Sequence, residues 1–541
     1  MKKTLLLTAF LLAAAASLVA QITVSGDIST NTTWTSNNTY LLSGFVYVTN
    51  GAKLTIEPGT VIKGDKASKG ALIITRGSQI IADGTRDQPI VFTSNEAAPS
   101  YGDWGGLILL GYAPTNQVYN GINGLGLIEG GLDPLKGLYG GGDQLTGAKP
   151  DDNSGILRYV RVEHPGIAFQ PNNEINGITL GAVGNKTIMD YVQVSYSGDD
   201  AFEWFGGTVN AKHLIAYRSL DDDFDTDNGF SGNVQFALVV RDPQVADVSG
   251  SNGFESDNNA NGTGATPKTR PTFSNVTLIG PAAAPFNANY KRGAHLRRNT
   301  ETSIFNTLLL GTWPDAGLLI DGDSTAANAK AGRLEVKNTY VAAPTPLKTN
   351  VSTFAVADWF ASAGSANASS TDPLSGKLID GYNIDLPNAQ PLPGAPALLP
   401  GAAAFNSPRL NNAFFTKVAY TGAFDGTLTG DWTCGWAKYK SLNTACFTAT
   451  EEAGRIIGQA GLYPMPASER TTLTLHMEEA ADLRVELFGL DGTSFGTLLQ
   501  ERAPAGHQLH ALDLGQLPVG FYLLRIQAGA AYRTEKLVVA R

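Results

Sequence analysis

The sequence predicts an all-β protein: a right-handed parallel β-helix followed by a small C-terminal antiparallel β-sandwich. Three observations predict it. Short apolar runs separated by turn residues fill the chain from about Ile22 to Ala343. Equivalent runs near the middle begin 23 residues apart. From Leu462 to Arg541 the pattern changes to longer strands with period-two alternation.

The chain opens with Lys2 and Lys3, then a mostly apolar stretch from Leu5 to Val19, then Ala20. This is the layout of a secretory signal over residues 1–20, with a cut at Ala20/Gln21 or, alternatively, after Ser17. The run is short for a membrane span, no later stretch qualifies, and no Cys near the cut could accept a lipid.

The expected β-helix covers 21–345. Leu54-Thr55-Ile56, Val61-Ile62, Ala71-Leu72-Ile73-Ile74 and Gln79-Ile80-Ile81 are separated by Glu57-Pro58-Gly59, Lys63-Gly64-Asp65 and Arg76-Gly77-Ser78. These read as strands of four to six residues joined by tight turns. Tyr191-Val192-Gln193-Val194, Leu214-Ile215-Ala216-Tyr217 and Ala237-Leu238-Val239-Val240 supply the 23-residue repeat. A repeat just over twenty residues long is one coil of a parallel β-helix, in which like side chains stack and bury a continuous core. Gly-rich and polar insertions at about 120–155 and 242–270 are expected to leave one face as loops. Residues 346–455 are expected to form an irregular cap over the open end of the helix, since an exposed coil end is a free sheet edge. Residues 456–461 are expected as a linker.

Composition narrows the function. The 541 residues include 61 Gly and 27 Pro, only 16% are charged, and the formal net charge is −10. An acidic surface repels nucleic acid and anionic lipid, so neither is expected as a partner. The two cysteines, Cys434 and Cys446, are expected to pair in an oxidising compartment, closing a short loop worth roughly 3 kcal/mol.

One constellation carries chemistry. Asp199, Asp200 and Glu203 lie on one expected coil, and Asp221, Asp222, Asp223, Asp225 and Asp227 on the next. A 23-residue offset stacks Asp200 on Asp223, and Glu255 and Asp257 follow about a coil later. Carboxylates this close repel unless a positive group lies among them. Three readings stay open. Asp199, Asp200, Asp223, Asp225 and Asp227 could ligate Ca²⁺, which takes six to eight oxygens. Arg218, Arg241, Lys291, Arg292, Arg297 and Arg298 could pair with them instead. Asp200, Asp223 and Arg218 could serve a lyase or a glycoside hydrolase. The string Asp223-Phe224-Asp225-Thr226-Asp227-Asn228-Gly229 is not an EF-hand loop, because its Gly comes one place late and Val234 stands at position twelve. Gly140-Gly141-Gly142 lacks the Lys of a phosphate loop. His164, His213 and His295 are scattered singly, and Trp104, Trp204 and Trp313 read first as core.

Two resemblances add to this. Tyr463-Pro464-Met465-Pro466, the Asp491-Gly492 turn, Gly520-Phe521-Tyr522 and Lys536-Leu537-Val538 make residues 462–541 resemble the type A C-terminal sorting domain of the Bacteroidetes type IX secretion system. Met465 replaces that family's Asn. The resemblance implies a small antiparallel sandwich that directs export through the outer membrane, with the secretion machinery as partner.

The body resembles a bacterial family of surface β-helix proteins, often lipoproteins, that share the coil of pectate-lyase-like enzymes. The resemblance rests on Ser197-Gly198-Asp199-Asp200 with Phe205 to Asn210, on the Asp221–Asp227 run, and on Gly311-Thr312-Trp313-Pro314 leading to Leu318–Gly322. Together these imply a secreted or cell-surface protein on the outer-membrane exterior, non-enzymatic, binding glycans or adhering. The alternative is a calcium-dependent polysaccharide lyase or glycoside hydrolase.

Overall fold

The computed structural model describes residues 20–170, 173–427, 430–440, 457–477, 480–489, 493–528 and 531–541. The signal segment before Ala20 and the expected partner cysteine, Cys446, lie outside the described residues; Cys434 is buried. The chain divides into two compact units, residues 1–443 and 444–541.

The first unit is a parallel β-helix whose coils join in one 26-stranded sheet. One ladder climbs through Ile188–Ser195, Asn210–Tyr217, Asn233–Val240 and Thr272–Ile279. A second climbs through Ile178–Gly181, Phe202–Phe205, Phe224–Asp227, Ser251–Ser256, Tyr290–Leu296 and Ala316–Ile320. Alternation decides what each strand buries. Leu214, Ala216, Ala237 and Val239 point into the coil interior, where they join Trp104, Trp204, Phe224 and Phe273. Trp104, Trp204 and Trp313 are thus core residues. Each strand of the first ladder bends at one residue with positive φ, Tyr191 (55°), His213 (51°), Phe236 (60°) and Asn275 (56°), as does the preceding strand Gly155–Glu163 at Tyr159 (48°). From Tyr159 to Phe236 that strained conformation is offset by stacking, since consecutive rings lie 4.4, 4.2 and 5.2 Å apart.

The 23-residue spacing holds only in part. Leu214 pairs with Ala237, but it is Val192, not Tyr191, that pairs with Leu214, a spacing of 22. The extra residue enters in the turn 228–232, which holds five residues where 206–209 holds four.

Three expected boundaries move. The coils continue past residue 345, with Tyr340–Ala342 pairing in parallel with Ala368–Ser370. The expected linker at 456–461 is largely occupied by the strand Ile457–Tyr463. The expected end cap instead runs along the flank of the coils. Asn338 donates to the carbonyls of Gly401 and Ala402, Asn306 to Ala404, and Asn275 to Tyr420. Gln235 donates to Thr416, Gln193 to Lys438, Arg161 to Trp436 and Arg86 to Cys434. The segment therefore travels from the last coils back toward the first. The reason is the outward face of the long strands. Ile215, Tyr217, Leu238, Val240, Ile279 and Leu310 are apolar there and are buried by Ala423, Phe424, Trp436 and Tyr439.

The second unit is antiparallel. Ile457–Tyr463, Arg470–Met477 and Gly506–Asp513 form one sheet. Ser494–Ala503, Ala481–Gly489, Gly520–Ala528 and Ala531–Val539 form the other. Alternate residues meet in a core of Leu473, Leu475, Val485, Leu487, Tyr522, Leu524, Ile526 and Leu537. No helix among the described residues is long and apolar enough to cross a membrane.

Candidate functional site: an acidic cavity on the coil face

The second ladder carries a row of polar residues along the helix axis. Thr179 pairs with Glu203, Glu203 with Asp225, Asp225 with Glu255, and Glu255 with His295. The turn preceding this ladder adds two more levels. Asp222 donates its amide to the Asp200 carboxylate at 2.8 Å, and the Asp221 amide donates to the Asp199 backbone carbonyl at 3.5 Å. The result is a cavity of about 240 Å³ lined by Glu129, Asp199, Asp200, Glu203, Asp221, Asp222, Asp225 and Glu255, with Asn176, Ser249, Gly250 and Arg297 at its walls. The insertions supply Glu129 and Ser249-Gly250, so the acidic turns face a walled cavity.

Three overlapping trios set its coordination capacity: Asp199, Asp200 and Asp221; Asp200, Glu203 and Asp225; Asp222, Asp225 and Glu255. Within each trio the chosen oxygens lie within 4.8 Å of one another. Two oxygens on one Ca²⁺, each 2.3–2.6 Å from the ion, can be up to about 5 Å apart, so each trio fits the ion. Asp200 and Asp225 each belong to two trios.

Electrostatics follows from burial. Asp200, Glu203, Asp222 and Asp225 are pushed well above the usual carboxylate range, first by burial and then by their acidic neighbours. Asp221 rises to about 6, mainly through burial, against a 2.7 Å hydrogen bond from the Ser249 hydroxyl. Glu255 behaves oppositely. Burial pushes it up, but His295, Arg297 and Arg298 outweigh that and hold it below its ordinary value. His295 lies between carboxylates, with Nε2 2.8 Å from Asp321 and Nδ1 3.6 Å from Glu255.

Of the five residues expected as ligands, the structure brings Asp199, Asp200 and Asp225 to the cavity. Asp223 is not there: fully buried, it meets the equally buried Arg241 at 3.0 Å. The 22-residue coil puts Asp222, not Asp223, next to Asp200, and a one-residue shift reverses the face a side chain occupies. Asp227 lies two residues along the strand from Asp225, outside the cavity lining, beside Asp257, Arg297 and Arg298. The expected cations divide: Arg241 pairs with Asp223, Arg297 with Glu255 and Asp257, and Arg298 with Asp257 at 2.7 Å, whereas Arg218 is engaged by Asp242 and Asp385 and Arg292 by Asp315. Glu129, Asn176 and Ser249 were not legible in advance, because insertions or a neighbouring turn bring them in. Asp221 and Asp222 had a signal. Ser197-Gly198-Asp199-Asp200-Ala201-Phe202 and Ser219-Leu220-Asp221-Asp222-Asp223-Phe224 align at 22 residues, with both phenylalanines in register.

Residues 26–376 match the family model described as the pectate-lyase like beta helix domain. Residues 461–540 match the one described as a secretion system C-terminal sorting domain. A search of curated proteins finds no match.

Proposed function

We propose that this chain, a member of the pectate-lyase-like beta helix domain family, is a calcium-dependent, non-enzymatic glycan-binding or adhesive protein. It is a secreted or cell-surface β-helix protein, and its sorting domain is handled by the type IX secretion machinery. An N-terminal signal peptide, display on the outer-membrane exterior and a Cys434–Cys446 disulfide belong to the same reading.

One observation carries the calcium: the ladder from Asp200 and Glu203 through Asp222 and Asp225 to Glu255. Its carboxylates repel as they stand, and a divalent ion would turn that repulsion into attraction. Against catalysis stands the state of Arg297, the basic group lining the cavity. It is bound by Glu255 and Asp257, and the acidic partners outweigh its burial and strengthen its hold on its proton. A guanidinium so held is a poor base for an elimination.

The test is thermal unfolding of the full chain across calcium and chelator. Binding to the folded state alone adds RT ln(1 + [L]/Kd), about 2.7 kcal/mol at 100-fold excess over Kd. Melting is expected to rise with calcium and fall with chelator, and Asp225→Asn is expected to abolish the response. Unchanged melting in both would overturn the calcium site.

A second reading, hydrolysis or elimination on an acidic polysaccharide, is favoured by the raised Asp200, Glu203, Asp222 and Asp225. A carboxylic acid that holds its proton above the usual carboxylate range can act as a general acid. It demands release of reducing or unsaturated ends, lost in Glu203→Gln.

A further inference from the structure

Three of the six histidines in the chain, His476, His507 and His510, lie in the C-terminal unit. Two of them face each other. Arg470–Met477 and Gly506–Asp513 pair antiparallel without a register shift, and His476 lies opposite His507. The Leu514 amide donates to the Glu469 carbonyl at 2.8 Å. Counting from that bonded pair, the alternation of an antiparallel ladder puts His476 and His507 in a non-hydrogen-bonded pair. There the Cα atoms are about 4.5 Å apart and the side chains approach most closely. Leu473, Leu475 and Met477 fill the core, so period two turns both histidines to the outer face. His507 is exposed and His476 half-buried. Their ring centroids are 4.3 Å apart, with planes at 50°.

That spacing is close to what a metal requires. An imidazole nitrogen binds at about 2.0–2.1 Å, which places the ion about 3.2 Å from the ring centre. Two imidazoles on one ion then have centroids about 4.5 Å apart for a right-angled pair and about 5.2 Å for a tetrahedral one. The observed rings fall short of this by under about 1 Å, which small side-chain rotations within their rotamer wells supply.

We propose that His476 and His507 form a two-imidazole chelate for a first-row transition-metal ion. Water fills the remaining positions. Cu²⁺ binds most tightly, with Ni²⁺ and Zn²⁺ below it, following the general order for nitrogen ligands. Calcium prefers oxygen, so this site is chemically separate from the acidic cavity and does not depend on how that cavity is read. The bound ion would clip the two strands together outside the core.

The experiment adds one equivalent of Cu²⁺ to the full-length protein and counts coordinating imidazoles by electron paramagnetic resonance, with affinity from calorimetry. Two imidazoles are expected in the wild type. His507→Gln is expected to leave at most one and to weaken binding by about tenfold or more, because the second ligand no longer acts intramolecularly. His510→Gln, next to the pair but on the opposite face, is expected to change neither. Circular dichroism checks that each variant is folded; both positions are polar surface or rim sites with conservative replacements. An oxygen-only or single-imidazole signal in the wild type overturns the proposal. So does a two-imidazole signal that survives in His507→Gln.

Discussion

Arg241 shows how one residue shapes the site from behind. Its guanidinium is fully buried and donates to the carbonyls of Leu220, Asp221 and Asn252 as well as to Asp223. These carbonyls belong to the turn that carries Asp221 and Asp222 and to the strand whose Asn252 amide donates to the Asp222 carboxylate. The surrounding acids outweigh its burial and keep it protonated. Arg241→Met removes those bonds and leaves Asp223 buried without a partner, so a loss of about 3–5 kcal/mol is expected in urea unfolding. The buried acidic stretch also sets a pH dependence. Burial, then Asp257, raises Asp227 from its ordinary 3.8 to about 7, and burial raises Asp221 to about 6. A carboxyl whose folded pKa is raised binds its proton more tightly folded than unfolded, so its penalty is absent below about pH 4 and grows up to about pH 7. In chelator, the melting temperature is therefore expected to be higher at pH 5 than at pH 8. Calcium is expected to shrink that difference.

At the scale of elements, the flanking segment 377–440 is held by a ladder of side-chain amides, one from each of several successive coils. Asn306 is its clearest rung. Its Oδ1 accepts from the Ala404 amide at 2.9 Å, while its Nδ2 reaches the Ala404 carbonyl and the Ser274 hydroxyl. Its φ is 48°, a left-handed conformation that Asn tolerates better than Ala. Asn306→Ala is expected to cost about 2–3 kcal/mol. Limited proteolysis should then cut within 377–440 sooner than in the wild type. If the segment were merely an end cap, an Asn on a middle coil would not affect its release. The amide rungs were visible in the sequence only as isolated Asn and Gln residues, because the turns between them differ in length.

For the whole molecule, two units with separate cores perform separate tasks. The β-helix unit carries the acidic cavity, and the C-terminal unit carries the sorting signal. Because Ile457–Tyr463 is a strand of the second sheet system, a clean truncation starts at Thr444 rather than at residue 462. Deleting Thr444–Arg541 is expected to leave the protein in the periplasm of a host with the secretion system. Fractionation and surface labelling measure this, and normal surface amounts of the truncated chain would contradict it.

The sequence by itself determined the coil architecture and the C-terminal sandwich, because both rest on local periodicity. Short apolar runs between turns make stacked coils, and period-two alternation makes antiparallel sheets. It also marked the acidic stretch on adjacent coils, since clustered carboxylates are visible without coordinates. Only the tertiary structure decided which of them share a cavity. The coil that separates the two acidic turns is 22 residues long, the added residue enters only after Asp227, and a strand turns its side chains over with each single step. The same holds for the flank. Ile215 and Leu238 are as apolar as Leu214 and Val239, so composition alone could not say that one set lines the interior while the other awaits a covering segment from residues 377–440.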